Sequence, residues 1–215
     1  MVTCGLRGEK KFRGNAVAVT TTKALTSLHG VVPEKSIVEL VDSHGIKRIG
    51  TVIISRFAVD KVDISLVELN QDQIPFDFFI EVSKKPVYLR QAIIVVGFIS
   101  SPGHHTEVFA KDCRVTTVET DSSLFRSDYS SERGMSGAAV IVAVENGEDR
   151  VVGVHVGTHD DTQPPPKIKG SKTGNHANAA SVSDSQSSLA GAIHGHTAYC
   201  LICEVARVND VIEVL

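Results

Sequence analysis

Tryptophan is absent from this 215-residue chain, methionine occurs twice, and aromatic residues make up 5% of it. The two basic patches, Lys10–Arg13 and Lys167–Lys172, enclose one aromatic side chain, Phe12, so RNA is left as a partner without support from base stacking. Charge of one sign is also lacking: the formal net charge of −3 exerts no overall pull on nucleic acid or an anionic membrane. No apolar run approaches the roughly 20 residues of a membrane span. The opening Met1-Val2-Thr3-Cys4-Gly5 has no basic region followed by an apolar one. No signal peptide is therefore expected, and the protein reads as cytoplasmic rather than secreted.

The four cysteines, at positions 4, 113, 200 and 203, have no framework spacing. Cys200 and Cys203 form a CxxC inside the apolar run Ala198–Val205, but strand residues three apart face opposite sides and there is no second pair. All four are expected to be reduced thiols of a reducing compartment. The histidine pairs His104-His105 and His194/His196 have no acidic or Cys ligand at useful spacing, and Gly170-Ser171-Lys172-Thr173 lacks the first glycine of a phosphate loop. Neither a metal nor a cofactor is expected.

Helical periodicity is nearly missing too, and strand signals take its place. Gly14–Thr20, Ala24–Leu28, Ser36–Val41, Arg48–Ser55, Ile64–Leu69, Val87–Leu89, Ala92–Ile99, Glu107–Phe109, Arg114–Val118, Ala138–Val144, Arg150–Val156 and Ala198–Val205 are short and rich in Val, Ile and Thr. Asn146-Gly147 is a hairpin turn signal. The pattern predicts an all-β barrel or sandwich in two units: residues 1–72, a linker over 73–86 around unpatterned sequence, and residues 87–215. Asp160–Gly191, with Pro164–Pro166 and almost no large apolar residue before Leu189, reads as a long mobile loop. A short helix is expected over Asp210–Leu215, capped by Asn209.

The stretch Ser130–Ile141, with Gly134 and Gly137 on either side of Ser136, is a glycine-pinched loop entering a buried strand. Such a loop presents a small side chain beside bare N–H groups, as a serine nucleophile and its oxyanion require. A nucleophilic serine also needs a general base and a carboxylate to hold that base in one tautomer. His29, at a strand exit, and Asp63, heading an alternating strand, supply them; Asp60 is the neighbouring alternative for the acid. The chain order His, Asp, Ser differs from that of the hydrolases whose elbow reads G-x-S-x-G, and Ala138 breaks that elbow pattern.

"ALTSLHG", "VDISLVEL" and "RGMSGAAV" resemble the histidine, aspartate and serine segments of the trypsin-like (chymotrypsin-like) serine proteases. The match covers residues ~10–160 and the final strand and helix, leaving out the long loop. The resemblance implies two six-stranded antiparallel β-barrels with the site between them. His29 and Asp63 would come from the first barrel and Ser136 from the second, with the N–H groups of Gly134 and Ser136 as the oxyanion hole. The departures are Gly30, where secreted members carry a disulfide cysteine, and Met135, where they carry the aspartate that pairs with a newly cut N-terminus. Zymogen activation is therefore not expected.

Val151–Thr158, "VVGVHVGT", is similar to the GxHxG strand of picornavirus 3C-like proteases and of the serine proteases of sobemovirus- and polerovirus-type polyproteins. There the histidine sits at the floor of the S1 pocket, partners a Ser or Thr five residues before the nucleophile, and binds a P1 Gln or Glu. The corresponding residues here are His155 and Ser131, and Val156, Gly157 and Thr158 would pair with substrate as an added strand. Ser130 stands where Arg/Lys-selecting enzymes carry an aspartate, which argues against a basic P1 residue. The implied function is a serine endopeptidase acting on a polypeptide substrate, its own polyprotein. The alternatives are a cellular HtrA-like serine protease and an inactive protease-fold binding module. The sequence carries no signal for an oligomeric state.

Overall fold

Two stretches of the chain, Asn15–Val19 and Ala138–Val142, have almost no polar position to turn toward water. A strand buried on both faces needs a packed layer on each side. The computed structural model provides those layers; it describes residues 2–6, 14–30, 36–55, 63–101, 104–118, 124–131, 134–143, 147–159 and 202–207.

The strands β1 (Val2–Leu6), β2 (Gly14–Ala18), β3 (Lys23–Thr26), β4 (Ile37–Asp42), β5 (Lys47–Ser55) and β6 (Ser65–Leu69) close into a barrel in the order β1-β2-β3-β6-β5-β4. A second barrel is made by β7 (Ala92–Ser101), β8 (His104–Val118), β9 (Leu124–Ser127), β10 (Ala139–Ala143), β11 (Asp149–His159) and β12 (Ile202–Arg207). It closes as β10-β11-β12-β9-β8-β7, which is the same cyclic connectivity as the first. Every strand pair in both barrels is antiparallel.

Three apolar clusters follow from side-chain alternation along these strands. Ala16, Ala18, Val38, Leu40, Val67 and Leu69 fill the first barrel. Ile93, Val95, Phe125, Val140, Val142 and Val205 fill the second. The third lies between them, where Val17, Val19, Leu25, Ile64 and Leu66 of the first barrel meet Ala139, Ile141, Val151 and Val154 of the second. Thus β2 and β10 send alternate residues into their own barrel and into the seam, which accounts for their unbroken apolar sequence. The segment joining the barrels is pinned to the first by Arg48. Its buried guanidinium bonds the Asp42 carboxylate at 2.7 Å and the Ile74 and Pro75 carbonyls at 2.9 and 3.2 Å, and stacks over Phe76.

Several strand expectations need correction. Val87–Leu89 is not a strand: Val87 drops into the second core, but Pro86 precedes it and Arg90 has a φ of +66°, so the chain turns there. Glu107–Phe109 and Arg114–Val118 are parts of one 15-residue strand, β8. Asp112, with a φ of +63°, marks the bulge between them, opposite a register shift at Ile93/Val95. β1 and β9 are strands beyond those expected from the sequence. The expected loop 160–191 and the helix Asp210–Leu215 lie outside the described residues, as do His194, His196 and Lys167–Lys172.

Candidate active site

The register of β3 against β6 sets the first half of the site. Thr26 faces Ser65 across the pair, so the residues just past β3 lie beside those just before β6. A single 3-10 turn, Leu28–Gly30, carries His29 there. One Asp63 carboxylate oxygen accepts the His29 backbone N–H at 2.8 Å, and the other meets Nδ1 of the same residue in a short contact. This double attachment fixes the ring's position and its tautomer together. Asp63 is the acid on His29; Asp60 lies outside the described residues. The hydrogen bond that His29 donates to Asp63 raises the His29 pKa above its ordinary 6.5, burial works against that, and the carboxylate's charge adds to it.

Ser136 enters from the second barrel, and its Oγ lies 2.7 Å from His29 Nε2. The three residues are brought together from positions 34 and 107 apart in the chain. Around the serine the backbone is forced into unusual conformations: Gly134 has a φ of +101° and Gly137 one of +81°. At Gly137 glycine is required for space as well, since a Cβ there would lie 2.0 Å from the Asn15 carbonyl oxygen. Met135, just before the serine, is fully buried in the second core. The loop is thus anchored at that position by apolar packing.

His155 lies on β11, directly behind this loop. Its carbonyl accepts the Gly137 N–H at 2.7 Å and its N–H donates to the Ala138 carbonyl at 2.8 Å. The ring is 4% exposed, and burial followed by the charge of His29 lowers its pKa to about 4. It is therefore a neutral imidazole near neutral pH. Its hydroxyl partner corrects the expectation. Tyr129, not Ser131, holds Nδ1, at 2.8 Å, with the two rings edge to face at 5.6 Å. Spacing from Ser136 pointed to Ser131; the side chain with the reach is a phenol two residues earlier, just past the end of β9. The signal available in the sequence was a tyrosine in an otherwise small-residue loop, Asp128-Tyr129-Ser130-Ser131.

Val156, Gly157 and Thr158 continue β11. Gly157 and Thr158 pair with Glu204 and Cys203 of β12, while Val156 is the extra residue of a bulge. Among the described residues, the β10 register ends at Val154, so no strand covers the other edge of 156–158.

No protein-family model matches the chain, and no curated protein matches it in sequence. Solved structures do match in shape. Neuropsin, a serine protease of mouse brain, aligns with a TM-score of 0.57 over 99% of this chain and 91% of its own, at 12% identity. The tobacco vein mottling virus protease gives 0.53 over 75% and 72%, at 11% identity. An inactive mutant of Rv3671c from M. tuberculosis gives 0.50 over 73% and 76%, at 16% identity. The fold is the chymotrypsin-like double β-barrel. Of these neighbours neuropsin is named as a serine protease and the viral one as a protease, and in this chain His29 and Asp63 of the first barrel meet Ser136 of the second.

Proposed function

We propose that the chain is a serine endopeptidase of the viral 3C-like type, cleaving polypeptide after Gln or Glu through an acyl-enzyme. The observation that carries the reading is the unbroken line from Asp63 through both ring nitrogens of His29 to Ser136 Oγ. Ser136 attacks the scissile carbonyl while Nε2 of His29 takes its proton, and Asp63 stabilises the imidazolium. The Gly134 and Ser136 N–H groups receive the oxyanion. His29 then returns the proton to the leaving amine, and a water activated by the same ring releases the acyl group.

The P1 preference is supported by His155. The Tyr129 hydroxyl lies 2.8 Å from Nδ1, and where it donates there the ring's proton is on Nε2, able to donate to a P1 carbonyl or carboxylate oxygen. A site built on such a donor rejects side chains that leave it unpaired. Val156–Thr158 provide an edge for the substrate backbone. The substrate is its own polyprotein, in a cytoplasmic setting; the resemblance of "VVGVHVGT" to the viral GxHxG strand supports this choice over a cellular HtrA-like protease.

The test is a peptide library with P1 varied, using the native chain, Ser136→Ala and His155→Ala. Cleavage after Gln or Glu by the native chain and none by Ser136→Ala is expected, with a fluorophosphonate labelling Ser136 alone. Cleavage retained in Ser136→Ala would remove the serine mechanism. An unchanged P1 profile in His155→Ala would favour the HtrA-like reading, and no labelling at all the binding module.

A further inference from the structure

Asn15 belongs to the first barrel, on β2, yet it holds the serine loop of the second. It is fully buried, and nearly all of its hydrogen-bonding groups are used across the seam. Its backbone N–H donates to the Ser136 carbonyl at 2.7 Å, and its own carbonyl accepts from Thr26 Oγ1 at 2.6 Å. Its side-chain oxygen accepts the Phe98 N–H at 2.5 Å. Nδ2 donates to the Phe98 carbonyl at 3.0 Å and to the Gly134 carbonyl at 2.9 Å. The orientation of the amide is unambiguous, since a flip would set NH₂ against N–H and oxygen against two carbonyls.

We infer that Asn15 is the positioning residue of the oxyanion hole. The inference rests on the serine-endopeptidase reading, in which Gly134 and Ser136 supply the two N–H donors. Asn15 holds the carbonyls of these same two residues, one by its side chain and one by its backbone. With both carbonyls held, the peptide unit between them, which carries the Ser136 N–H, is fixed from outside the loop, and the Gly134 N–H is tied to it through Gly134's own torsions. Gly134, at a φ of +101°, has backbone freedom that such a contact restrains. The seam leaves no slack: a Cβ on Gly14 would lie 2.5 Å from the Ser136 carbonyl oxygen, and one on Gly97 would lie 2.7 Å from the Ala138 Cβ and 3.5 Å from Asn15 Oδ1. The first barrel thereby delivers His29 and Asp63 and also shapes the anion site of the second.

The experiment compares native chain, Asn15→Ala and the isosteric Asn15→Asp by steady-state cleavage of one peptide, with circular dichroism to verify the fold. A fall in kcat of about 10- to 100-fold with KM within about 2-fold is expected for both variants at pH 8, since a displaced donor acts on the transition state. Fluorophosphonate labelling should slow in parallel. Asn15→Asp adds a readout that a merely structural role would not move. Buried against two carbonyl oxygens, its carboxyl is held protonated to higher pH, and only the protonated form can donate to Gly134. The variant-to-native ratio of kcat should therefore climb several-fold as pH falls from 8.5 to about 6.5. Folded variants with native kcat and a flat ratio would overturn the inference while leaving the protease reading intact. Variants that lose the fold at every pH would make Asn15 a barrel-joining residue only, which also overturns it. A native chain that neither cleaves nor labels would overturn both.

Discussion

The phenol of Tyr129 meets Nδ1 of His155 at 2.8 Å in the interior of the second barrel, 26 residues away along the chain. That bond decides which imidazole nitrogen carries the proton, and hence whether the ring offers a P1 side chain a donor or an acceptor. Tyr129→Phe leaves a buried ring nitrogen without its partner, at a cost of about 1–3 kcal/mol. We expect kcat/KM for Gln and Glu substrates to fall about 10-fold, with weaker discrimination against other P1 residues. Ser131→Ala should leave both nearly unchanged. P1 profiling of the two variants side by side checks this, and a larger loss in Ser131→Ala would reverse the assignment.

On the proposed mechanism the raised pKa of His29 should set the acid limb of activity. The ring must be neutral to accept the Ser136 proton, so kcat/KM should rise with pH through a midpoint above the ordinary 6.5. Asp63→Asn removes the interaction that raises it. Its acid limb should move to lower pH while kcat drops by about 10⁴-fold, because an amide can hold the ring in the wrong tautomer. A pH–rate profile of both proteins is the measurement. An acid limb that stays in place would mean another group controls it.

His155 makes stability fall in acid. Its folded pKa of about 4 lies below the ordinary 6.5, so between these values the unfolded chain takes up a proton that the folded chain refuses. Its contribution is neutral above pH 6.5 and grows unfavourable down to about pH 4, reaching on the order of 3 kcal/mol. His29, with a raised pKa, acts above 6.5 and in the opposite sense: the folded chain gains stability as pH falls through its folded pKa, and loses it as pH rises. Asp42, where Arg48 and the N–H groups of Ile46 and His44 outweigh the upward effect of burial, acts below the usual carboxylate range. Urea midpoints between pH 7 and pH 4.5 should therefore decline, and His155→Gln should flatten the decline. An unchanged slope in that variant would show that another group is responsible.

Two changes in the serine loop separate packing from close contact. Met135→Ala removes a fully buried side chain from the second core and should cost about 2–5 kcal/mol. Gly137→Ala places a Cβ 2.0 Å from the Asn15 carbonyl oxygen at a φ of +81°, so it pushes the barrels apart at the site itself. We expect the folded fraction of Gly137→Ala to have lost nearly all activity, and that of Met135→Ala to retain a measurable part. Thermal melts paired with rates per folded molecule distinguish the two.

By itself the sequence determined the all-β class and pointed to His29, Ser136 and, with Asp60 as the alternative, Asp63, because each rests on a local pattern. Strand alternation, the glycines around Ser136 and the strand-end positions of His29 and Asp63 are visible within windows of a few residues. The tertiary structure decided what depends on register and reach. Tyr129, not Ser131, is the side chain that meets His155 Nδ1. Asn15 reads in sequence as an ordinary polar residue inside an apolar strand. Only when two barrels close with the same connectivity does it meet Gly134, 119 positions away, and take hold of the serine loop. A buried amide is worth keeping only where its partners wait, and those partners exist only in the assembled seam.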